Sequence, residues 1–238
     1  MISTTSLKAD FKMMIREPLL ILFMFIPIFI FVVFKLLIVF FVPVLYNMTG
    51  FNLENYYGYV LSASLLFTPN MLGAVVAFLM IDERDAKIYE LMSVTPLGSV
   101  GYICNRLVIP FILSIIYTFI GYYILNIFYI PTFTLALISI LLGIDSIIIG
   151  LLLFTVADDK VKGLTYAKGF GVFTILALID LLKLPWASFL GALLPFYWVT
   201  RLVNDSSNII LVLKSVVIHG LWLFIIINFC RKSNTNSK

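Results

Sequence analysis

The sequence predicts an all-α membrane protein with six transmembrane helices, and three observations carry that prediction. Hydrophobic residues make up 62% of the 238 residues and charged residues only 12%, whereas a soluble domain is roughly 45–50% apolar. Mean hydropathy is +1.12. Apolar runs of about the length that crosses a ~30 Å hydrocarbon core, roughly 20 residues each, fall at about 19–42, 58–81, 102–126, 132–156, 167–183 and 209–229. No internal repeat divides the chain into matching halves, so residues 1–238 are read as a single membrane domain.

The elements follow in order. Residues 3–17 open with Ser and Thr capping candidates and place Leu7, Phe11, Met14 and Ile15 on one face, with Lys8, Lys12 and Arg16 in a row beside it. That pattern predicts an amphipathic helix on the anionic membrane surface, with the three basic residues as anchors. The next run is too long for a signal h-region of roughly 7–15 residues and is expected to stay as a helix. Pro27 should bend it, and Lys35 can snorkel toward the outer surface.

Asp82 to Arg106 is the one dense cluster of charge between long apolar runs. A short helix is expected at about 82–95, ended by Thr95-Pro96-Leu97-Gly98. Asp82, Glu83 and Asp85 would occupy its first turn, at the positive end of the helix dipole, with Glu83 four residues before Lys87. Ile88, Leu91, Met92 and Thr95 recur at helical spacing on the other side, which suits the membrane surface. The alternative is a solvated loop whose charges only keep it out of lipid.

Lysine and arginine set the orientation. With the N-terminus inside, Lys8, Lys12, Arg16, Arg84, Lys87, Arg106, Lys160, Lys162, Lys168, Arg231, Lys232 and Lys238 face the cytoplasm, 12 of the 16. Lys183 and Arg201 fall outside, while Lys35 and Lys214 lie near outer helix ends. Asp158, Asp159 and Lys160 then form a second cytoplasmic loop, either a further partner contact or a solvated turn. The tail from Arg231 to Lys238 is polar and expected to be disordered. Residues 184–208 are too apolar for an exposed loop, yet Pro185, Gly191 and Pro195 break them too often for a span. Short re-entrant helices on the outer side fit, with Trp186, Tyr197 and Trp198 at the interface.

Asp-Glu-Arg-Asp at 82–85, Thr-Pro-Leu at 95–97, Gly-Tyr at 101–102 and Asn-Arg at 105–106 resemble, in this order, the first cytoplasmic loop of ABC-2 type transporter permeases. The likeness is greatest to the fluoroquinolone-export-type branch. Asp10 with Arg16-Glu17-Pro18 resembles that family's amphipathic first helix, and Leu194-Pro195-Phe196-Tyr197-Trp198 resembles the segment before its last span. Ala86-Lys87 departs from the expected Gly-Thr-like pair. The resemblance implies a coupling helix that contacts an ATPase through Asp82, Glu83, Arg84, Asp85 and Glu90, with Tyr89 on the same helix. It also implies a permease that works as a homodimer, or paired with a similar permease, in the bacterial cell membrane. ATP and Mg would be bound by a separate ATPase chain, and a drug-like, lipid-like or peptide substrate would leave the cell.

Enzymatic chemistry is not expected. Nothing matches G-x-x-x-x-G-K-[ST], and no nucleophile and base set, nucleic-acid motif or metal-ligand cluster is apparent. Cys104 and Cys230 read as small apolar residues, and His219 as a packed or hydrogen-bonded side chain without a ligand-spaced partner. Asp145 sits mid-span, where an isolated charge costs about 2.5–3.5 kcal/mol, and is either a pathway residue or a buried hydrogen-bond partner of a serine or backbone carbonyl. Asp180 lies three residues before Lys183 and suits a local ion pair. Tyr117, Tyr122, Tyr123, Phe170 and Phe173 are candidates to line a path. Two rival functions remain from the sequence: a proton-coupled secondary transporter using Asp145, and a non-transporting scaffold or immunity protein.

Overall fold

A computed structural model describes residues 17–96, 98–206 and 208–236. The surface helix expected at 3–17, with Lys8, Lys12 and Arg16, lies outside them apart from Glu17. The first described helix, α1 (Pro18–Thr49), starts on a proline whose missing N–H suits a first turn. It runs past its apolar stretch to Gly50, whose φ of 69° and N–H to the Tyr46 carbonyl at 2.8 Å close it.

A single 3-10 turn at Leu53–Tyr56 leads into α2 (Tyr57–Asp85). The expected helix at 82–95 is therefore divided. Asp82, Glu83, Arg84 and Asp85 close α2, at the negative end of its dipole, and the chain turns at Ala86 and Lys87 (φ 60°) into the short α3 (Ile88–Ser93). The remaining helices are α4 (Gly98–Leu125), α5 (Thr132–Val156), α6 (Lys160–Ala177), α7 (Pro185–Gly191), α8 (Pro195–Asn204) and α9 (Ile209–Asn236).

Among the described residues, five helices are long and apolar enough to cross a membrane, and the bent pair α7 and α8 makes up to six. The fifth run expected at 167–183 is relocated. Asp159 accepts a hydrogen bond from the Lys162 N–H at 2.8 Å, so α6 begins at Lys160, and it gives way at Leu178 to a 3-10 turn at Ile179–Leu182. Residues 231–236, expected to be disordered, continue α9, because no Gly or Pro interrupts the ladder there.

α2 is the centre of the bundle. Its apolar window is 89% buried and that of α5 is 72%, against 11% for α1 and 22% for α9. Small residues let α2 and α5 approach closely. A Cβ on Gly73 would lie 2.9 Å from the Ser146 carbonyl oxygen, and one on Gly150 would lie 2.7 Å from Val76 Cγ1. Backbone cannot yield as a side-chain tip can, so Gly73→Ala is expected to cost about 1–3 kcal/mol through overpacking. Gly169→Ala, where a new Cβ meets nothing within 4 Å, should be neutral or stabilising by up to ~1 kcal/mol. Thermal unfolding of both variants in lipid nanodiscs checks the contrast.

Candidate functional site

The charged end of α2 is held by neighbours on every side. The Glu83 side chain, 2% exposed, accepts hydrogen bonds from Arg106 Nε at 2.8 Å and Nη2 at 2.5 Å, and from the Tyr102 hydroxyl. Tyr102 and Arg106 stand one turn apart on α4, so one helix face presents both donors. Arg106 is 7% exposed and its guanidinium lies 5.1 Å over the Tyr102 ring. Taking two charges from water is costly, and here the hydrogen bonds that complete the carboxylate offset that cost.

Asp82 and Arg84 point elsewhere. Lys160 Nζ bridges Asp82 Oδ2 at 2.6 Å and Glu17 Oε2 at 2.7 Å, joining α2, α6 and the residue before α1. Arg84 donates to the carbonyl oxygens of Phe154 (3.1 Å), Ala157 (2.5 Å) and Asp158 (2.8 Å), so it caps the C-terminus of α5, where the dipole favours a cation. These contacts explain why α2 continues through four charged residues. Its acids would be disfavoured at a helix C-terminus without Arg106 and Lys160 facing them.

The placement reorders the residues singled out in the sequence. Glu83 pairs with Arg106, not with Lys87, and is buried. Arg84 and Lys160 are engaged within the bundle, and Asp159 caps α6. Tyr89 is half-buried, edge-on to Tyr102 at 5.3 Å and to Phe154 at 5.9 Å, which fastens α3 to the same cluster. The exposed surface includes Asp85, Lys87, Glu90, Leu91 and Val94, with Asp158 on the neighbouring loop.

Deeper in the bundle, fully buried Asp145 on α5 has neither a serine nor a backbone partner among the described residues. His219 Nε2 of α9 lies 3.3 Å from its Oδ1, and His219 Nδ1 lies 2.7 Å from the Ser215 carbonyl oxygen. Lys35, expected to snorkel, instead donates to the Leu125 carbonyl at 2.7 Å and caps α4.

Residues 10–227 match the profile of the family described as fluoroquinolones export permease protein, Rv2686c-like. The chain belongs to this family. Two relatives, the fluoroquinolones export permease proteins Rv2686c and MT2760 of Mycobacterium tuberculosis (strains ATCC 25618 / H37Rv and CDC 1551 / Oshkosh), are each 28% identical over 221 residues. The matches cover 90% of this chain and 82% of each relative. No solved structure matches. Like its family, this Rv2686c-like chain is a multi-pass membrane protein of apolar helices.

The far end of this export-permease-family chain carries its own polar knot. Asp180, in the turn after α6, accepts from Ser188 Oγ (2.6 Å), the Tyr197 hydroxyl (2.9 Å) and Arg201 Nη1 (2.7 Å), so it serves the bend between α7 and α8 rather than Lys183. The two helices meet at 117°. Tyr197 and Trp198 turn inward, Trp198 donating to the Ala192 carbonyl at 2.9 Å, while Trp186 stays exposed. Phe170 and Phe173 stack on each other and Phe173 on Phe196, tying α6 to α8. A cleft of about 140 Å³ lies between α1, α2 and α6, lined by Phe23, Ile26, Asn70 and Lys168 among others. Drug-sized ligands occupy roughly 300–1,000 Å³, so it holds one only if the helices part.

Two outcomes test this description. Glu83→Gln leaves the Arg106 guanidinium facing a neutral group and is expected to cost on the order of 3 kcal/mol, whereas Asp85→Asn on the exposed rim should stay within ~0.5 kcal/mol. Denaturant midpoints in nanodiscs read the difference. At Asp180, burial raises the carboxyl but the hydrogen bonds from Ser188, Arg201 and Tyr197 prevail, so it sits below the ordinary carboxylate range. A depressed folded value stabilises above the unfolded value of about 3.9 and is lost as pH falls through the folded one. The melting-temperature advantage of the native chain over Asp180→Asn should therefore hold from pH 7 to about 4 and shrink below it.

Proposed function

We propose that this chain is the membrane subunit of a bacterial exporter whose ATP hydrolysis occurs on a separate ATPase chain carrying the nucleotide and Mg. The observation that carries the reading is the combination of an exposed surface with a buried base: Asp85, Glu90, Leu91 and Val94 are exposed on and around α3, which is fixed through Tyr89 to the buried Glu83, Arg106 and Tyr102 cluster. A push on such a helix is passed to α2, α4 and α5 together instead of being absorbed locally. In this reading α3 and the exposed Asp158 face the cytoplasm with both termini, two permease halves act together, and closure of an ATPase pair tilts the bundle between inward-open and outward-open states.

The names of the relatives support an amphipathic, fluoroquinolone-like drug as substrate. The aromatic and apolar lining of the cleft around Phe23 and Ile26, with Lys168 and Asn70 as its polar groups, suits a planar molecule bearing a carboxylate.

The test is co-purification with the ATPase encoded nearest to this chain. Asp85→Lys with Leu91→Glu alters exposed side chains and leaves the Glu83, Arg106 and Tyr102 cluster intact, so the variant should melt as the native chain does and retain at least tenfold less ATPase. Equal retention by both, or none by the native chain in any nucleotide state, removes the ATPase-driven reading.

A further inference from the structure

Charge is nearly excluded from the middle of the bundle. Residues 57–81, 107–156 and 215–230 contain no Lys, Arg or Glu, and their one Asp and one His are Asp145 and His219. Those two residues lie on different helices, and the fold brings them within 3.3 Å, both fully buried.

The other titratable groups on the packed elements are elsewhere or occupied. α2 brings none of these charged residues to this depth, with Asp82, Glu83, Arg84 and Asp85 all at its end. α4 contributes the buried Tyr117 phenol at mid-depth, and Arg106 is on Glu83. On α8, Arg201 and Tyr197 are on Asp180, and on α9 Lys214 lies 5.8 Å from the Trp198 ring. Lys168 of α6 lines the cleft beside α1.

Hydrogen-bond roles fix the proton count. The Ser215 carbonyl can only accept, so His219 Nδ1, 2.7 Å away, carries a hydrogen. A neutral ring then leaves the bare lone pair of Nε2 beside Asp145 Oδ1, 3.3 Å away. Two facing lone pairs repel, and a lone carboxylate in an apolar interior is costly. Among the described residues Nε2 and both Asp145 oxygens have no hydrogen-bond partner, and Nε2 and Oδ1 lie 3.3 Å apart without completing a bond. A single proton between Oδ1 and Nε2 removes both difficulties and leaves the pair without net charge.

We propose that Asp145 and His219 form a proton-binding site in the middle of the bundle, holding one proton between Oδ1 and Nε2 that joins α5 to α9. Once the helices part and water enters, neither group keeps that proton above about pH 6.5, so parting them releases it. α9 is suited to part, because its apolar window is only 22% buried. Its Trp222, three residues beyond His219, donates to the Leu193 carbonyl at 2.7 Å, so motion at the proton site also reaches the segment between α7 and α8. The site stands whether or not an ATPase drives the chain.

Because His219 is the sole histidine, the full chain purified through a histidine-free tag and labelled with ¹⁵N-histidine reports this one ring. In nanodiscs at pH 7.5 the expected spectrum has a protonated Nδ1 and an Nε2 signal displaced from the position of a bare ring nitrogen. Asp145→Asn, which still offers Nε2 an amide N–H but no exchangeable acid proton, should return Nε2 toward the bare position. The closed pair holds one proton more than the opened pair above pH 6.5, so the folding equilibrium of the native chain relative to Asp145→Asn should fall about tenfold per pH unit as pH rises toward 9. A purely packed pair would instead be rescued by asparagine at every pH. A bare Nε2 in the native chain, or a native-to-variant difference independent of pH, overturns the proposal; if the variant does not fold, the native spectrum alone decides.

Discussion

The Glu83 carboxylate, buried against Arg106 and Tyr102, is the constraint on which the charged end of the molecule depends. A helix rotates by about 100° per residue, so once Glu83 is fixed toward α4, its neighbours must point at other elements. Asp82 reaches Lys160 of α6 and, through it, Glu17 before α1, while Arg84 reaches the last carbonyls of α5. Three consecutive side chains thereby set the positions of four neighbouring segments relative to α2. The short helix α3 inherits its place from the same cluster through Tyr89.

Hydropathy made the membrane class and most apolar runs legible, because a ~30 Å hydrocarbon core imposes a length that composition alone reveals. Helix ends were less legible, because they depend on partners distant in sequence. Nothing local to Asp82–Asp85 announces that α2 runs through them; their cations lie on α4 and α6. On dipole grounds alone the acidic run suited a first turn better than a last one. The start of α6 was readable in principle, since Asp159 is a good N-cap residue three before Lys162, but the lysines that follow lowered the local hydropathy. The breaks at Pro185, Gly191 and Pro195 did mark short helices, although the inward turn of Tyr197 and Trp198 depends on Asp180 and Ala192.

The family match and the residue placement bear on different questions. Belonging to the Rv2686c-like export permeases follows from a likeness over residues 10–227. Which acidic residues meet solvent does not, because Asp82, Glu83 and Asp85 are indistinguishable by charge and differ only in where the helix aims them. Motif-level transfer would have assigned one role to all of them. The fold separates them into a bridging acid, a buried acid and an exposed one.

Polar groups inside the bundle divide by what their own helix can do for them. Several hydroxyls are absorbed locally: Ser62, Ser64, Thr118, Ser146 and Ser215 each donate to a carbonyl three or four residues earlier on the same helix, at 2.7 Å. A carboxyl group needs a donor, and helix backbone beyond the first turn has no N–H to spare. The second nitrogen of an imidazole is in the same position once the first has taken a carbonyl. Asp145 and His219 therefore cannot be satisfied by α5 and α9 separately, and their meeting follows from that shared deficit as much as from attraction of opposite charge. An interaction of this kind is missed by periodicity, since each residue alone interrupts an apolar face and only the fold brings the two unsatisfied groups together. It also makes the α5 to α9 contact unlike the glycine-mediated α2 to α5 contact, which rests on shape alone and has no proton to exchange.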